Sequence, residues 1–518
     1  MTDTQRTPTP IDQIAEAWVD TSAELSPGLA TYIGRFEHNH RLDDLSPAGR
    51  AARLAAATSA LAALREAEPV DDVDLVTKAD LSGDLELEIA LHEAGAHLRD
   101  VNVIASPAQE LRNVFDLMPT DTIEDWSVIA DRLAAVPAAI GGYVETLREG
   151  IATGVVPARR QVTEVIGQIA RYTADNGFFA TYAADAAPAE GGLPASLAKT
   201  LADHAGAARV AYDELADFLR TELAPAASET DAVGRELYQL HSRVFLGAEI
   251  DLDETYEWGL EELARMVAEQ EAIANEILPG ATVEEAVAFL ENDESRKLHG
   301  TVALQEWMQA TSDRAVAELG KTHFDIPEPI RRLECLIAPT NEGGIYYTGP
   351  TDDFSRPGRM WWAVPDDQTV FHTWQEKTTV YHEGVPGHHL QLGAAIVDPD
   401  LNTWRKLASF TSGHGEGWAL YAERLMSELG WLDDPGDRMG MLDSQRLRAA
   451  RVVVDIGVHC RKAAPASVGG GTWDAEKAWQ FLTESVAMDR AVLRFELDRY
   501  LGWAGQAPSY ALGQRVWE

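Results

Sequence analysis

The run Tyr381-His382-Glu383-Gly384-Val385-Pro386-Gly387-His388-His389-Leu390-Gln391 contains the residue that most limits how its own segment can fold. Pro386 has no N–H to offer the carbonyl of His382, and its ring collides with that carbonyl. One straight helix through 382–389 is therefore disfavoured by about 3 kcal/mol. The side chains around it make the break consequential. A His followed directly by Glu, with more His downstream, begins like the H-E-x-x-H helix of zinc peptidases, where His residues four apart reach one metal. Here the second His comes six or seven residues later. Six residues turn about 600° around an α-helix, roughly 120° out of line, whereas seven restore the face but climb about 10 Å. We read the run as a zinc helix with two extra residues, bulged or restarted at Pro386-Gly387. That break swings His388 back towards His382 and turns His389 about 100° away, towards substrate or a supporting partner. The competing geometry keeps a straight helix and uses His389. The reading without a metal is two unrelated surface His flanking a turn.

A catalytic zinc takes three protein ligands and keeps a position open for water. The third ligand is expected from Gly413-His414-Gly415-Glu416-Gly417-Trp418-Ala419-Leu420-Tyr421-Ala422-Glu423, a second helix entered through glycines. Glu416 is the expected ligand, with Glu423 or His414 as alternatives. Glu423 lies seven residues on, on the same face, and suits a bond to an imidazole. The expected metal set is thus His382, His388 and Glu416, holding one Zn2+ per chain. Glu383 is left free as the general base that takes a proton from the activated water. The developing oxyanion needs a further donor, and three C-terminal groups are candidates. His459 lies on a helix carrying Arg448, Arg451, Asp455 and His459 at spacings of three and four. Tyr500 and Tyr510 sit in a Gly/Pro-rich segment. His459 and Tyr510 join Glu383 as the catalytic candidates, while Arg451–Asp455 also reads as a structural ion pair.

The rest of the chain is read as mainly helical. From 11 to 222 apolar residues recur three and four apart, as in Pro47–Glu66 and 129–151, with breakers at Pro69, Pro119, Pro157 and Gly191-Gly192-Leu193-Pro194. Further helices are expected over Leu252–Ile277, 282–290 and 294–319, and the metal helix from near Gln375. A small β element precedes it, with strands at Leu333–Ile337, 343–348 and 356–364. Such a strand either accepts an extended peptide at its edge or merely packs the wall. His92-Glu93-Ala94-Gly95-Ala96-His97 imitates the metal motif, but its His are five apart, some 140° out of register. We read it as an ordinary helix bearing two polar His. The organisation expected is a polar, flexible tail over 1–10, a helical N-terminal lobe over 11–230, ending in the connector 223–230, and a catalytic lobe over 231–518.

With 43 Lys and Arg against 84 Asp and Glu, the net charge of −41 argues against nucleic-acid partners and anionic membranes. Two cysteines, Cys335 and Cys460, give no disulfide framework. The first residues lack the apolar core of a secretory signal, and no apolar run approaches about 18 residues, so no membrane span is expected. The chain reads as soluble and cytoplasmic.

The runs HEGVPGHHLQ, GEGWALYAE, VDIGVH and RYLGWAGQAPSYALG resemble a large bacterial family long labelled a domain of unknown function. That family is regarded as gluzincin-like metallopeptidases, distantly similar to angiotensin-converting-enzyme and oligoendopeptidase folds. The motifs span roughly residues 330–518. The family pattern carries His382, Glu383, His388 and Glu416, with His or Tyr at the position of His389. Ala504 departs from it, where Pro is common. The resemblance implies a mostly helical, two-lobed body with a deep cleft. The function expected is a zinc-dependent peptidase acting on short peptides. The alternatives are a zinc hydrolase of non-peptide amides and a non-catalytic helical protein with a structural metal site. Side-chain preference and oligomeric state are not encoded in these motifs.

Overall fold

Apolar spacing of three and four becomes packed helices throughout the computed structural model, which describes residues 6–189, 191–338, 344–351, 353–365, 367–486, 488 and 490–518. Helices α1 (Pro10–Leu25), α2 (Pro47–Glu66) and α3 (Asp72–Glu93) enclose Ile11, Trp18, Leu61, Leu64 and Leu81. Residues 1–5 of the expected flexible tail lie outside the described residues. From Arg6 onward the tail is pinned, because that guanidinium neutralises Asp12 (2.6 Å), Asp71 (2.7 Å) and Asp74 (2.5 Å). Thr9 then caps α1 reciprocally with Asp12.

The helix of the His92–His97 imitation ends at Glu93. Gly95 takes a left-handed φ of 70° and a tight turn over Ala96–Arg99 follows, so the expected continuous helix is corrected there. Its two imidazoles stack on each other, 4.2 Å between centroids.

Helices α4 (Ile123–Thr153) and α5 (Ala195–Phe218) form the second pair, over Leu133, Ile140, Leu147, Leu201 and Leu215. By length and composition α4 could cross a membrane, although no uninterrupted apolar run marks it, yet half of its apolar window is buried within the protein. It also carries wholly buried Arg132, which donates to Arg41 O, Thr31 Oγ1 and Pro27 O. These are the properties of a core helix.

One hydrophobic cluster is confined to Leu45–Ala227 and another runs from Tyr238 to Leu512. The α1–α3 group nevertheless reaches into the second half of the chain. Trp404 packs in its core, Asn402 donates to Asp12 (3.0 Å), and Thr403 N to Glu16 (2.6 Å).

In that second half α6 (Leu252–Ile277) runs where its pattern predicts. The run 294–319 does not form one helix: Lys297–His299 is a strand, β1, and Gly300, at a φ of 82°, turns the chain into α7 (Thr301–Thr322). Three strands follow, β2 (Leu333–Ile337), β3 (Ile345–Thr348) and β4 (Gly358–Trp362), in the order β2-β4-β3. The β3–β4 pair is antiparallel, Ile345 opposite Trp362, and β2 runs parallel to β4. Residue 343 of the expected second strand lies outside the described residues. β5 (Val370–His372) pairs with β1 and leads directly into α8 (Thr373–Glu383). The remaining helices that concern the site are α9 (His388–Val397), α10 (Ser412–Glu428), α11 (Pro435–His459), α12 (Arg490–Gly502) and α13 (Ser509–Trp517).

Candidate metal centre

α8 stops at Glu383 and α9 starts at His388, so the break falls where Pro386 requires it. The Val385–Pro386 peptide is cis. The turn is held by Gly387 N donating to Tyr381 O (3.1 Å), by His389 N to Gly384 O (3.1 Å), and by Trp418 Nε1 to Pro386 O (2.8 Å). Gly387 lies so close to the end of α8 that a Cβ there would overlap the carbonyl oxygens of His382 and Tyr381. With the helix broken and restarted in this way, the imidazoles of His382 and His388 stand 4.9 Å apart, nearly perpendicular at 87°.

Glu416 arrives from α10, whose glycines permit a close helix crossing. Gly417 faces Gly513 of α13, and a Cβ on Gly417 would fall 2.7 Å from Gln514 N and overlap Gly513. Glu416 Oε2 lies 3.3 Å from His382 Nε2 and 3.3 Å from His388 Nε2. His382, His388 and Glu416 form the one potential metal-holding group among the described residues, each offering an atom within 4.8 Å of the others. Ligands about 2.0–2.1 Å from a tetrahedral zinc lie about 3.3 Å from one another, so the donor set fits that ion.

The supporting contacts favour a metal on the Nε2 side. His382 Nδ1 bonds Glu423 Oε1 (2.8 Å), and Thr378 Oγ1 donates to Glu423 Oε2 (2.7 Å). A proton on Nδ1 leaves the Nε2 lone pair free for a ligand role. Burial opposes charge on His382, but Glu416 and Glu423 outweigh it and push its pKa up to about 10. Burial alone would raise the Glu416 carboxyl, and the imidazoles beside it reverse that, holding it well below the ordinary value. Glu383 is buried next to the group without belonging to it; burial raises its carboxyl, with Glu416 adding and His382, His388 and Arg448 opposing.

The two adjacent His part company. His389 turns away, its Nδ1 bonded to Tyr347 OH (2.9 Å) and its Nε2 to Ile330 O (2.8 Å). Burial lowers its pKa to about 4, so the ring is neutral. Glu423 supports His382 and is outside the ligand group, as is His414, which bonds Gln391 and packs on Trp517.

The C-terminal candidates separate too. Tyr510 is half-buried at the start of α13; burial raises its pKa, with the negative charge of Glu416 adding and Arg499, Arg451 and Arg448 opposing. Its ring lies under two guanidiniums, 5.8 Å from Arg448 and 4.9 Å from Arg451. His459 is not brought to the group. Fully buried, it accepts from Val233 N at Nδ1 (3.4 Å) and donates from Nε2 to Tyr500 O (2.9 Å), so the expected donor role is corrected: its ring N–H is already committed to backbone. Tyr500 is engaged by Arg451 Nε (2.6 Å) and Glu496. The expected Arg451–Asp455 pair is replaced by partners on other elements. Arg451 pairs with Glu496 (2.7 Å), and Asp455 accepts from Tyr238 OH (2.7 Å) and Gly505 N (2.9 Å).

Sequence reasoning passed over Thr378 and gave Arg448 no role. Thr378 stands four residues before His382, the spacing that puts two side chains on one helix face. Arg448 stands one turn before Arg451.

A family model for a "Bacterial protein of unknown function (DUF885)" matches residues 27–518. Among solved structures, "the putative lipoprotein from Colwellia psychrerythraea" superposes with a TM-score of 0.82 at 21% identity, covering 98% of this chain and 91% of that one. "A putative lipoprotein of unknown function from Shewanella oneidensis" does so with a TM-score of 0.72 at 16% identity, covering 98% and 92%. At such identities the likeness is one of fold. No curated protein matches the chain.

Proposed function

For this chain, which belongs to the bacterial family of unknown function DUF885, we propose a zinc-dependent hydrolase that cleaves peptide bonds of short peptides. The observation that carries the reading is the convergence of His382, His388 and Glu416 at 3.3 Å spacings, with Glu383 buried beside them and uncommitted as a ligand. Three ligands favour a catalytic over a closed, four-coordinate structural site. When bound, the metal lowers the pKa of a coordinated water and polarises a carbonyl.

The chain's own residues do the rest. Glu383, its carboxyl raised by burial, accepts the proton of the attacking water and returns it to the departing nitrogen. Water is thereby added across the amide, hydroxyl to the acyl carbon and hydrogen to the amine. Tyr510 supplies a hydroxyl donor for the developing oxyanion, with nearby guanidiniums favouring negative charge. The β3 strand stands beside the His pair through Tyr347, whose ring lies 6.4 Å from that of His388. Among the described residues it is the outer strand next to β4, so its far edge offers backbone groups to an extended peptide.

Digestion of a mixed peptide library by the zinc-loaded protein, with and without a chelator, tests the reading. Chelator-sensitive appearance of new peptide termini is expected. An intact library with protein carrying one zinc per chain refutes it.

A further inference from the structure

The chain carries about twice as many acids as bases, yet arginines gather around Tyr500 and Tyr510. Arg448 and Arg451 stand one turn apart on α11, and Arg499 joins them from α12. The carboxylate that serves the group is Glu496, which takes Arg451 Nη2 (2.7 Å), Arg499 Nη1 (3.3 Å) and the Tyr500 hydroxyl. Asp455 is turned away onto Tyr238 and Gly505. Arg451 and Arg499 thus share one carboxylate. Arg448 bonds Ser444 O (3.1 Å) and Oγ (2.6 Å) and forms no ion pair among the described residues. Its buried Nε has no partner there, nor has Nη1 of Arg451, a residue only 4% exposed. A buried N–H without an acceptor costs about 1–3 kcal/mol, so these groups leave room for an acceptor from outside the chain.

Position says which acceptor. Arg448 and Arg451 both lie against the ring of Tyr510, on the helix that crosses the Glu416 helix at Gly417 and Gly513. An anion held there would lie beside the hydroxyl proposed to serve the oxyanion, within reach of a short extended stretch of substrate at about 3.5 Å per residue. We propose that Arg448, backed by Arg451, is the subsite for a substrate carboxylate, the free C-terminus of a peptide, so that residues are released from the C-terminal end. The proposal rests on the hydrolase reading above and adds the substrate class. Arg448, half-buried and held through only one of its nitrogens, can offer its remaining N–H groups to both carboxylate oxygens. Arg451 is locked by Glu496 and Tyr500, and supplies charge and position rather than a movable donor.

Binding to zinc-loaded Glu383→Gln protein, measured by titration calorimetry, tests this without turnover. Three versions of one short peptide are used: the free acid, the C-terminal amide, and the amide with Glu as its last residue. The free acid should bind about 10- to 100-fold more tightly than the plain amide, as for a charge-assisted bond against a neutral one. Adding Arg448→Met, which keeps the apolar stem, should level acid and amide, and Arg448→Lys should retain part of the preference. Equal binding of acid and amide overturns the proposal, as does a preference surviving Arg448→Met, or no binding of any of the three. If the Glu-ended amide matches the free acid, the subsite reads a side chain and the C-terminal assignment is overturned. Preference for the acid without cleavage by the unsubstituted enzyme sinks the hydrolase reading alone. Cleavage of acid and amide at equal rates sinks this inference alone.

Discussion

Replacing His388 and His389 one at a time separates the broken-helix site from a straight one. His388 Nε2 lies 3.3 Å from Glu416 Oε2, the separation expected of two ligands on one tetrahedral zinc. His389 instead spends both ring nitrogens on Tyr347 and Ile330. His388→Ala removes one of three donors. Loss of a group that merely supports a ligand already costs about 10- to 100-fold in affinity, so loss of a ligand should weaken zinc by more than about 100-fold. His389→Phe keeps a ring in the site and forfeits two hydrogen bonds. Leaving buried Ile330 O without its donor costs about 1–3 kcal/mol of stability, with zinc retained. Metal content after gel filtration, chelator-competition titration and thermal unfolding would report all three quantities. If His389→Phe sheds the metal while His388→Ala keeps it, the two-residue insertion is wrong and the turn at Pro386 does not orient the ligands.

Other substitutions probe the supports. Glu423→Ala should weaken zinc about 10- to 100-fold, because the His382 Nδ1 proton loses its acceptor; chelator competition would measure it, and unchanged affinity would count against the proposed tautomer. Gly417→Ala forces a methyl into the Gly513 backbone and should cost about 1–3 kcal/mol by overpacking, lowering the unfolding midpoint; a midpoint unchanged within error would mean that α10 and α13 do not cross so closely. Tyr510→Phe should leave zinc content intact and lower kcat about 10²- to 10³-fold; steady-state rates on any cleaved library peptide decide it, and an unaltered kcat removes Tyr510 from the chemistry.

Much of this was legible because the signals were local. Pro386 forbids a continuous helix whatever surrounds it, and the break lies at 384–387 as its chemistry demands. Helices with strong periodicity, Pro47–Glu66 and Leu252–Ile277, have the bounds that their apolar spacing suggests. What failed depended on tertiary partners. Nothing near Lys297 in the chain announces that Val370–His372 will pair with it and cut a helix short at Gly300. Arg451 and Asp455 stand four apart, ideal for a local pair, yet stronger partners on α12 and α6's neighbour Tyr238 draw them apart. His459 has the residue type of a catalytic donor, and only the position of Val233 N and Tyr500 O shows its ring already spent. The sequence shows glycines at 413, 415 and 417 but not what they face; the backbone that approaches is α13 at Gly513, which is how Tyr510 comes to share a locality with Glu416.

The most direct test of the central claim compares metal content and turnover in the unsubstituted protein and Glu383→Gln. Glu383 lies outside the ligand group, so both proteins should carry one zinc per chain. The amide cannot take the proton of the attacking water, so release of peptide products should fall by about 10²- to 10⁴-fold. Equal product release from the two proteins at equal zinc content would contradict the account.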